Sequence, residues 1–182
     1  MDVAFIIDSS GSIGRTNYIK EKHLVKQLAK SFGLAPGQTQ AAMVLYSTSA
    51  SVQARFGQYE TFEEFEKAVD DLPYERGVTR IDQALELTAT EIFPEARPGV
   101  PNIALLITDG QQTQASDAKG LKEASEPLRK AIVRVLAIGI GSGVDPDELR
   151  LVTENVVVAK GFKDLLLKLG NITSQACHLA SK

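Results

Sequence analysis

The sequence has one cysteine, two histidines and no tryptophan among its 182 residues. Because its only cysteine is Cys177, the chain cannot close an internal disulfide, and a small disulfide-dense fold is excluded. Cys177 is either a free thiol or the partner of a cysteine outside this segment. The histidines, His23 and His178, lie far from any motif and give little support to a Ser–His–Asp triad.

Long hydrophobic runs and an excess of one charge are also absent. No apolar run approaches the roughly 20 residues of a membrane helix, so we expect no direct membrane insertion. Lys and Arg total 20 against 23 Asp and Glu, which gives a net charge of −3 and no electrostatic footprint for nucleic acid. The start lacks a signal-peptide pattern, because a strand pattern follows Met1 directly, and we expect Met1 to begin one part of a longer protein.

What is present is the composition of a folded chain, with 43% hydrophobic and 24% charged residues. The length favours a single domain over residues 1–182. Short apolar runs alternate with helical patterns along the whole chain. Six runs predict strands: Val3–Ile7, Gln40–Tyr46, Ser51–Phe56, Ile103–Ile107, Ile132–Ile138 and Val156–Ala159.

This alternation predicts an α/β fold. Strands that are apolar throughout are typical of a parallel sheet covered by helices on both faces. The link between Gln40–Tyr46 and Ser51–Phe56 is so short that these two strands can only be antiparallel neighbours. We therefore predict a doubly wound, mostly parallel six-stranded sheet with one antiparallel edge strand and helices on both faces. A leucine-rich helix, Phe162–Cys177, closes the chain.

Polar residues follow two of the apolar strands, at the edge where such sheets bind ligands. Asp8 and Asp109 end these strands, and Ser10 and Ser12 continue the first in an alternating pattern. Two carboxylates about 5 Å apart repel by roughly 3 kcal/mol at an effective dielectric near 20, so such a pair needs a cation or a proton. Either Asp alone could equally cap the loop after it, but the alternating pattern favours a metal site.

Three motifs resemble the metal-ion-dependent adhesion site of von Willebrand factor A domains: DSSGSIG at 8–14, GVTR at 77–80 and TDG at 108–110. That family includes the inserted domains of integrins and the repeats of matrilins and type VI collagen, and the resemblance covers nearly the whole chain. It implies a Rossmann-like fold and a metal site in which three hydroxyls bind directly and two carboxylates act directly or through water. The implied metal residues are Asp8, Ser10, Ser12, Thr79 and Asp109. Asp82 departs from the pattern, since many relatives have glycine there.

Oxygen ligands of this kind suit a small hard cation. We expect Mg²⁺, with Mn²⁺ able to substitute and Ca²⁺ as a further candidate, but no soft metal, because no thiolate or imidazole is near in sequence. The resemblance further implies that a protein partner supplies an Asp or Glu to the metal. The rim that would meet this partner comprises Gly11, Gly110 and Gln111, although the loop from Gln111 is equally well explained as solvated.

The expected function is therefore non-catalytic, cation-dependent protein binding by an extracellular matrix or cell-surface protein. Three alternatives stay open: a structural matrix-assembly module whose metal is not the ligand site, an intracellular scaffold of the same fold, and a metal-dependent hydrolase. The hydrolase is the least supported, because no histidine or additional acid lies in the motif loops.

Two further features concern the end of the chain. Asn171-Ile172-Thr173 is an N-glycosylation sequon, and its occupancy stays open. Because Cys177 ends the closing helix and the first strand begins at Asp2, we predict a disulfide from Cys177 to a cysteine shortly before Met1 in the longer protein.

Overall fold

A six-stranded sheet forms the centre of the molecule in the computed structural model, which describes residues 1–181. The strand order is β3-β2-β1-β4-β5-β6, and every pair is parallel except β2 with β3, the edge strand. This confirms the predicted fold class. The strands are β1 (Asp2–Asp8), β2 (Gln40–Tyr46), β3 (Ala50–Ala54), β4 (Asn102–Thr108), β5 (Arg134–Ile140) and β6 (Val156–Ala159).

Helices cover both faces of this sheet. They are α1 (Gly14–Ser31), α2 (Phe62–Asp70), α3 (Ile81–Leu87), α4 (Leu121–Ala124), α5 (Glu126–Lys130), α6 (Pro146–Arg150), α7 (Phe162–Leu167) and α8 (Leu169–Ala180). A π-helical turn (Thr88–Ile92) and a 3-10 turn (Phe93–Glu95) extend α3. None of the helices within residues 1–181 is long and apolar enough to cross a membrane.

Between its two terminal acids, strand β1 is apolar at every position because both of its faces are covered by helices. Val3, Phe5 and Ile7 lie in one core with residues of α1, α2, α7 and α8. Ala4 and Ile6 lie in the second core with residues of α3, α4, α5 and α6. Every one of these side chains is fully buried, since a central parallel strand has no face in water.

Several boundaries differ from the sequence prediction: β3 ends at Ala54 rather than Phe56, and the closing helix continues to Ala180 rather than ending at Cys177. Strand β5 begins at Arg134 rather than Ile132, because Ile132 has a left-handed backbone (φ +58°) and its side chain is 74% exposed in the turn before the strand. The closing helix is divided at Lys168 into α7 and α8. Apolarity alone does not distinguish an exposed turn residue from the start of a buried strand.

The order in which strands are added to the sheet reverses between β1 and β4: β2 and β3 lie on one side of β1, and β4, β5 and β6 lie on the other. Strand β1 pairs with β2 on one side and with β4 on the other, so the loops after β1 and β4 leave the sheet in different directions. A crevice opens at this point, along the carboxyl ends of the parallel strands. We call this the metal edge; Asp8 and Asp109 both lie there.

The opposite edge of the sheet is held by one ion pair. Arg97, in the loop before β4, donates through Nε (2.9 Å) and Nη2 (2.6 Å) to Oδ1 of Asp2, which is fully buried. The backbone N–H of Arg97 donates to Oδ2 of Asp2 at 2.7 Å, and Nη2 also donates to the carbonyl oxygen of Gln38 at 2.6 Å. One guanidinium thus joins the loops that precede β1, β2 and β4.

Replacing Arg97 should therefore destabilise the fold. We expect Arg97→Ala to lower the free energy of unfolding by about 3 kcal/mol, because it leaves the buried Asp2 carboxylate without its partner. Arg150→Ala, which removes an exposed ion pair with Asp147, should cost less than about 1 kcal/mol. Urea unfolding followed by circular dichroism measures both, and equal losses in the two variants would contradict the assigned role of Arg97.

Candidate metal centre

The loop after β1 folds back onto the side chain of Asp8, the last residue of that strand. Oδ1 of Asp8 accepts a hydrogen bond from the backbone N–H of Ser10 at 2.8 Å. The N–H of Ser9 donates to the carbonyl of Tyr46 (2.8 Å), and the N–H of Gly11 donates to the carbonyl of Gly77 (2.8 Å). These bonds fasten the loop to β2 and to the loop that carries Thr79.

The hydroxyls and carboxylates predicted to bind metal converge at this edge. Oγ of Ser12 donates to Oδ1 of Asp109 at 2.9 Å and lies 3.0 Å from Oγ of Ser10. A Cβ atom on Gly110 would lie 3.8 Å from Oγ of Ser12 and 4.0 Å from Oγ1 of Thr79. The structure therefore brings three separate motif loops to one place.

The second oxygen of Asp8 is held from beneath the loop. Oδ2 of Asp8 accepts hydrogen bonds from Oγ1 of Thr108 at 3.0 Å and from the hydroxyl of Tyr46 at 3.3 Å. Tyr46 is fully buried and also lies 3.0 Å from the carbonyl oxygen of Ile107, an alternative acceptor. The sequence identified Tyr46 only as a core or rim residue, because nothing local shows that its hydroxyl reaches the neighbouring strand.

Glu21 is a third acid at the metal edge that sequence reasoning missed. It lies on α1 and is fully buried, and its Oε1 accepts a hydrogen bond from the backbone N–H of Asp8 at 3.1 Å. Its Oε2 is buried with no hydrogen-bond partner in the described residues. The available signal was an acid among Tyr18, Leu24 and Val25, all buried on the inner face of α1.

These acids have no cationic partner. No lysine, arginine or histidine nitrogen of residues 1–181 lies within 4.0 Å of the carboxylates of Asp8, Asp109 or Glu21. Burial raises the pKa of Asp8. Burial and then the charge of Asp8 raise the pKa of Asp109, and the same causes raise the pKa of Glu21 well above its ordinary value. The edge is thus a site of negative potential that a cation would stabilise.

A cation there would depend on hydroxyl ligands. Across the described part of the chain, no three His, Cys, Asp or Glu side chains are grouped so as to hold a metal ion. Asp8 has both oxygens engaged by protein donors, whereas Ser10, Ser12 and Thr79 present hydroxyls near Asp109. This donor set, of neutral and anionic oxygens, fits a hard divalent cation.

Beyond Thr79 the chain is held by a buried ion pair. Arg80 donates through Nε and Nη2 to the two oxygens of Asp82, each at 2.9 Å, and through Nη1 to Asp117 at 3.1 Å. The N–H of Asp82 donates to Oε1 of Gln112. Asp82, where many relatives have glycine, therefore joins the loops after Thr79 and after Asp109 without lying among the converging hydroxyls.

The predicted rim residues surround this arrangement unevenly. Gly11 and Gln111 are exposed, and Gly110 is half-buried. Beside Asp109 and Ser12 an open cleft of about 360 Å³ extends toward β5 and α7, with Asn17, Lys160 and Phe162 among its other lining residues. The metal edge thus has a concave side that could receive a partner's side chain.

The remaining predicted residues lie away from the metal edge. Asn171 and Cys177 are exposed on α8, and no disulfide is formed within the described residues. The glycan on Asn171 and the disulfide of Cys177 stay predictions. His23 on α1 and His178 on α8 are both exposed, and neither is hydrogen-bonded to the converging side chains.

The contribution of the Arg80–Asp82 pair to the free energy of unfolding should decrease at acidic pH. Burial alone would raise the pKa of Asp82, but hydrogen bonds from the Arg80 guanidinium and from the backbone N–H of Lys119 help to lower it to about 2, against an ordinary 3.8. Since this pKa is lowered on folding, the stabilisation is complete above the unfolded value and is lost as pH falls toward 2.

We therefore expect Asp82→Asn to cost about 2 kcal/mol of unfolding free energy at pH 6 and about 1 kcal/mol at pH 3. Urea unfolding of wild type and variant at both values measures this difference. The control is Asp71→Asn, which removes an exposed ion pair with Lys67. The change in unfolding free energy that it causes should not depend on pH in this way. A difference for Asp82→Asn that does not change with pH would contradict the ion-pair interpretation.

Comparison with known proteins places this geometry in a family. The model of the von Willebrand factor type A domain matches residues 2–165. Cuticlin-6 of Caenorhabditis elegans is 32% identical over 157 residues, which are 86% of this chain and 27% of that protein. Matrilin-1 of Gallus gallus is 28% identical over 165 residues, which are 89% of this chain and 32% of that protein. The chain thus spans about a third or less of these relatives.

Solved structures agree with the sequence comparison. Proximal thread matrix protein 1 of the mussel byssus, in a structure with a zinc-occupied MIDAS motif, has a TM-score of 0.88 and 30% identity, covering 97% of this chain and 45% of that one. BatB from Bacteroides thetaiotaomicron has a TM-score of 0.78 at 14% identity, which shows the shared fold alone. The order of the strands, the three motif loops and the matched model agree: this chain belongs to the von Willebrand factor type A domain family.

Proposed function

We propose that residues 1–182 form a single non-catalytic adhesion domain that binds a protein partner through a divalent cation at the metal edge. The convergence of two carboxylates with three hydroxyls, with no lysine, arginine or histidine nitrogen of residues 1–181 within 4.0 Å of the carboxylates, carries this proposal. Ser10, Ser12 and Thr79 would hold the cation through their hydroxyls, and Asp8 and Asp109 directly or through water.

Mg²⁺ is the proposed cation, with Mn²⁺ as a substitute and Ca²⁺ as a further candidate, because all the donors are oxygen atoms. When bound, the cation supplies positive charge and a coordination position for an acidic side chain of the partner. The relative from mussel byssus holds zinc in its MIDAS motif, so a borderline metal enters the motif of that protein. Zinc therefore belongs in the metal titration beside the harder ions.

The relatives support the proposed partner and setting. Matrilin-1, collagen alpha-1(XXI) and the mussel protein carry the names of matrix proteins, which supports an extracellular matrix or cell-surface partner for this chain. These names also favour binding over hydrolysis. At the metal edge Glu21 is the additional acid, but it is fully buried and bonded to the backbone of Asp8, which does not suit a general base acting on a bound substrate.

A structural matrix-assembly module remains the second candidate. It is favoured by the likeness to the mussel thread protein, which is named a matrix protein and shares the fold over 97% of this chain. In that case the chain would assemble with its partner regardless of metal.

Loss of the second carboxylate should abolish metal binding. We expect millimolar Mg²⁺ or Mn²⁺ to raise the stability of the wild type, by about 2.7 kcal/mol at a hundredfold excess over Kd. Asp109→Ala should show no such increase while keeping its circular dichroism spectrum. In metal-free buffer this variant should be at least as stable as the wild type, since the repulsion between Asp8 and Asp109 is relieved.

Calorimetric titration and thermal unfolding with each metal measure these effects. Asp71→Ala removes an exposed carboxylate whose ion-pair partner is Lys67 and not one of the converging residues, so this variant should bind metal like the wild type. If Asp109→Ala binds Mg²⁺ with unchanged affinity, the site assignment is wrong.

Capture of partners from solubilised extracellular matrix separates the two candidate functions. We expect proteins that are retained by the immobilised wild type in Mg²⁺ to be released by EDTA and to be absent with Asp109→Ala. Retention that is equal in Mg²⁺ and EDTA would instead support assembly through other faces of the domain.

A further inference from the structure

A groove beside the metal edge carries a cluster of unpaired positive charges. It has a volume of about 400 Å³ and lies between α1 and the segment that follows α2. Its lining residues, which we call the basic groove, are Arg15, Tyr18, Ile19, Lys22, Asp70, Leu72, Tyr74 and Arg76. Nothing in the proposed metal site uses these side chains.

Two tyrosines fix the position of two of the cations. The rings of Tyr18 and Tyr74 are stacked with their centroids 5.1 Å apart. Nζ of Lys22 lies 5.5 Å from the centroid of Tyr18, and the guanidinium carbon of Arg76 lies 5.6 Å from that of Tyr74. Cation–π contact of this kind holds the charges in place without neutralising them.

The groove's cations have no anionic partner. In the described residues no carboxylate lies within 4.0 Å of the charged groups of Arg15, Lys22 or Arg76. The acid that lines the groove, Asp70, is already paired with Lys26 at 2.8 Å, and Lys22 donates only to the backbone carbonyl of Asp70. In a chain of net charge −3, this local excess of positive charge favours an anionic ligand.

The groove and the metal edge are structurally continuous. The backbone N–H of Arg76 donates to the carbonyl of Ser9 at 2.9 Å, and the hydroxyl of Tyr74 lies 3.4 Å from the carbonyl oxygen of Gly11. Arg76 has a left-handed backbone (φ +64°), a conformation that is uncommon in residues other than glycine and that these loop contacts maintain. The loop that would hold the metal therefore also positions the guanidinium in the groove.

We propose that the basic groove binds acidic side chains of the same protein ligand whose carboxylate reaches the metal, an inference that rests on the proposed function. An extended peptide advances about 3.3 Å per residue, and the groove is bonded to the loop that would hold the metal, so residues that flank the metal-bound Asp or Glu would meet the groove. Ile19, which is 58% exposed, adds apolar surface, which suits a peptide better than a uniformly sulfated polysaccharide. The groove also offsets the negative potential of the acids at the metal edge, which would otherwise repel such a ligand.

The test pairs two peptides with two forms of the groove. The probes are fluorescein-labelled peptides with a central Asp, flanked on each side by four Glu in one and by four Gln in the other. The groove variant is Arg15→Gln, Lys22→Gln and Arg76→Gln combined. A control variant, Lys122→Gln, Lys130→Gln and Lys163→Gln, removes the same charge from exposed positions elsewhere. Circular dichroism and Mg²⁺ titration verify that each variant folds and binds metal.

In Mg²⁺ we expect the wild type and the control variant to bind the Glu-flanked peptide about tenfold more tightly than the Gln-flanked one. This factor corresponds to three exposed ion pairs between the peptide and the groove, each contributing about 0.2–1 kcal/mol. In the groove variant this ratio should fall toward one. An unchanged ratio in the groove variant, or no binding of either peptide by the wild type up to about 1 mM, would overturn the groove assignment.

Asp109→Ala separates this proposal from the one on which it rests. Both proposals hold if Asp109→Ala no longer binds the Gln-flanked peptide and if the affinity ratio of the two peptides is lower in the groove variant than in the wild type. If Asp109→Ala binds both peptides like the wild type and the ratio still depends on the groove, the groove stands and the metal proposal fails. A heparin octasaccharide whose binding requires the groove, combined with a peptide ratio of one, would overturn the peptide assignment in favour of a polysaccharide.

Discussion

Burial of the Asp8 carboxylate at the end of the central strand is the constraint on which the rest of the metal edge depends. A buried carboxylate without a counter-charge is costly, and no cationic side chain approaches this one within the described residues. Hydrogen bonds donated by Ser10, Thr108 and Tyr46 stabilise this carboxylate instead. Because these donors come from three different strands or loops, the requirement of one acid fixes their relative positions.

The same constraint explains why the loops are held so firmly. The acids at the metal edge have no cationic side chain of residues 1–181 beside them, so their oxygens must stay close together if a metal ion is to bind. Repulsion between the carboxylates acts against that arrangement. The bond between Gly11 and Gly77 and the Arg80–Asp82–Asp117 contacts resist this repulsion from outside the acidic cluster. The edge is preorganised by contacts that do not themselves need metal.

The fold, and the side chains that converge at the metal edge, could be predicted because their signals are local. Apolar strands, the short link before β3 and the DSSGS, GVTR and TDG stretches are each visible in a few adjacent residues. What the sequence did not show depends on contacts between distant segments. Glu21 reads as an ordinary helical acid until α1 is seen against β1, and the hydroxyl of Tyr46 reaches Asp8 only across paired strands.

Errors at the boundaries have a related cause. Ile132 is as apolar as the strand that follows it, and only its left-handed backbone, set by the turn after α5, excludes it from β5. The break at Lys168 is likewise not visible in the apolar pattern, since leucines continue on both sides of it.

Strand β1 connects the Asp2–Arg97 pair at one edge of the sheet with Asp8 at the other, over about 20 Å of extended chain. A tensile load applied at the start of β1 and resisted by a partner at the metal edge would run along the axis of this strand. Its hydrogen bonds to β2 and β4 lie across that axis on both sides, so the load shears them together and does not unzip them one after another. The central strand thereby transmits such a load between the two edges through hydrogen bonds that must break together.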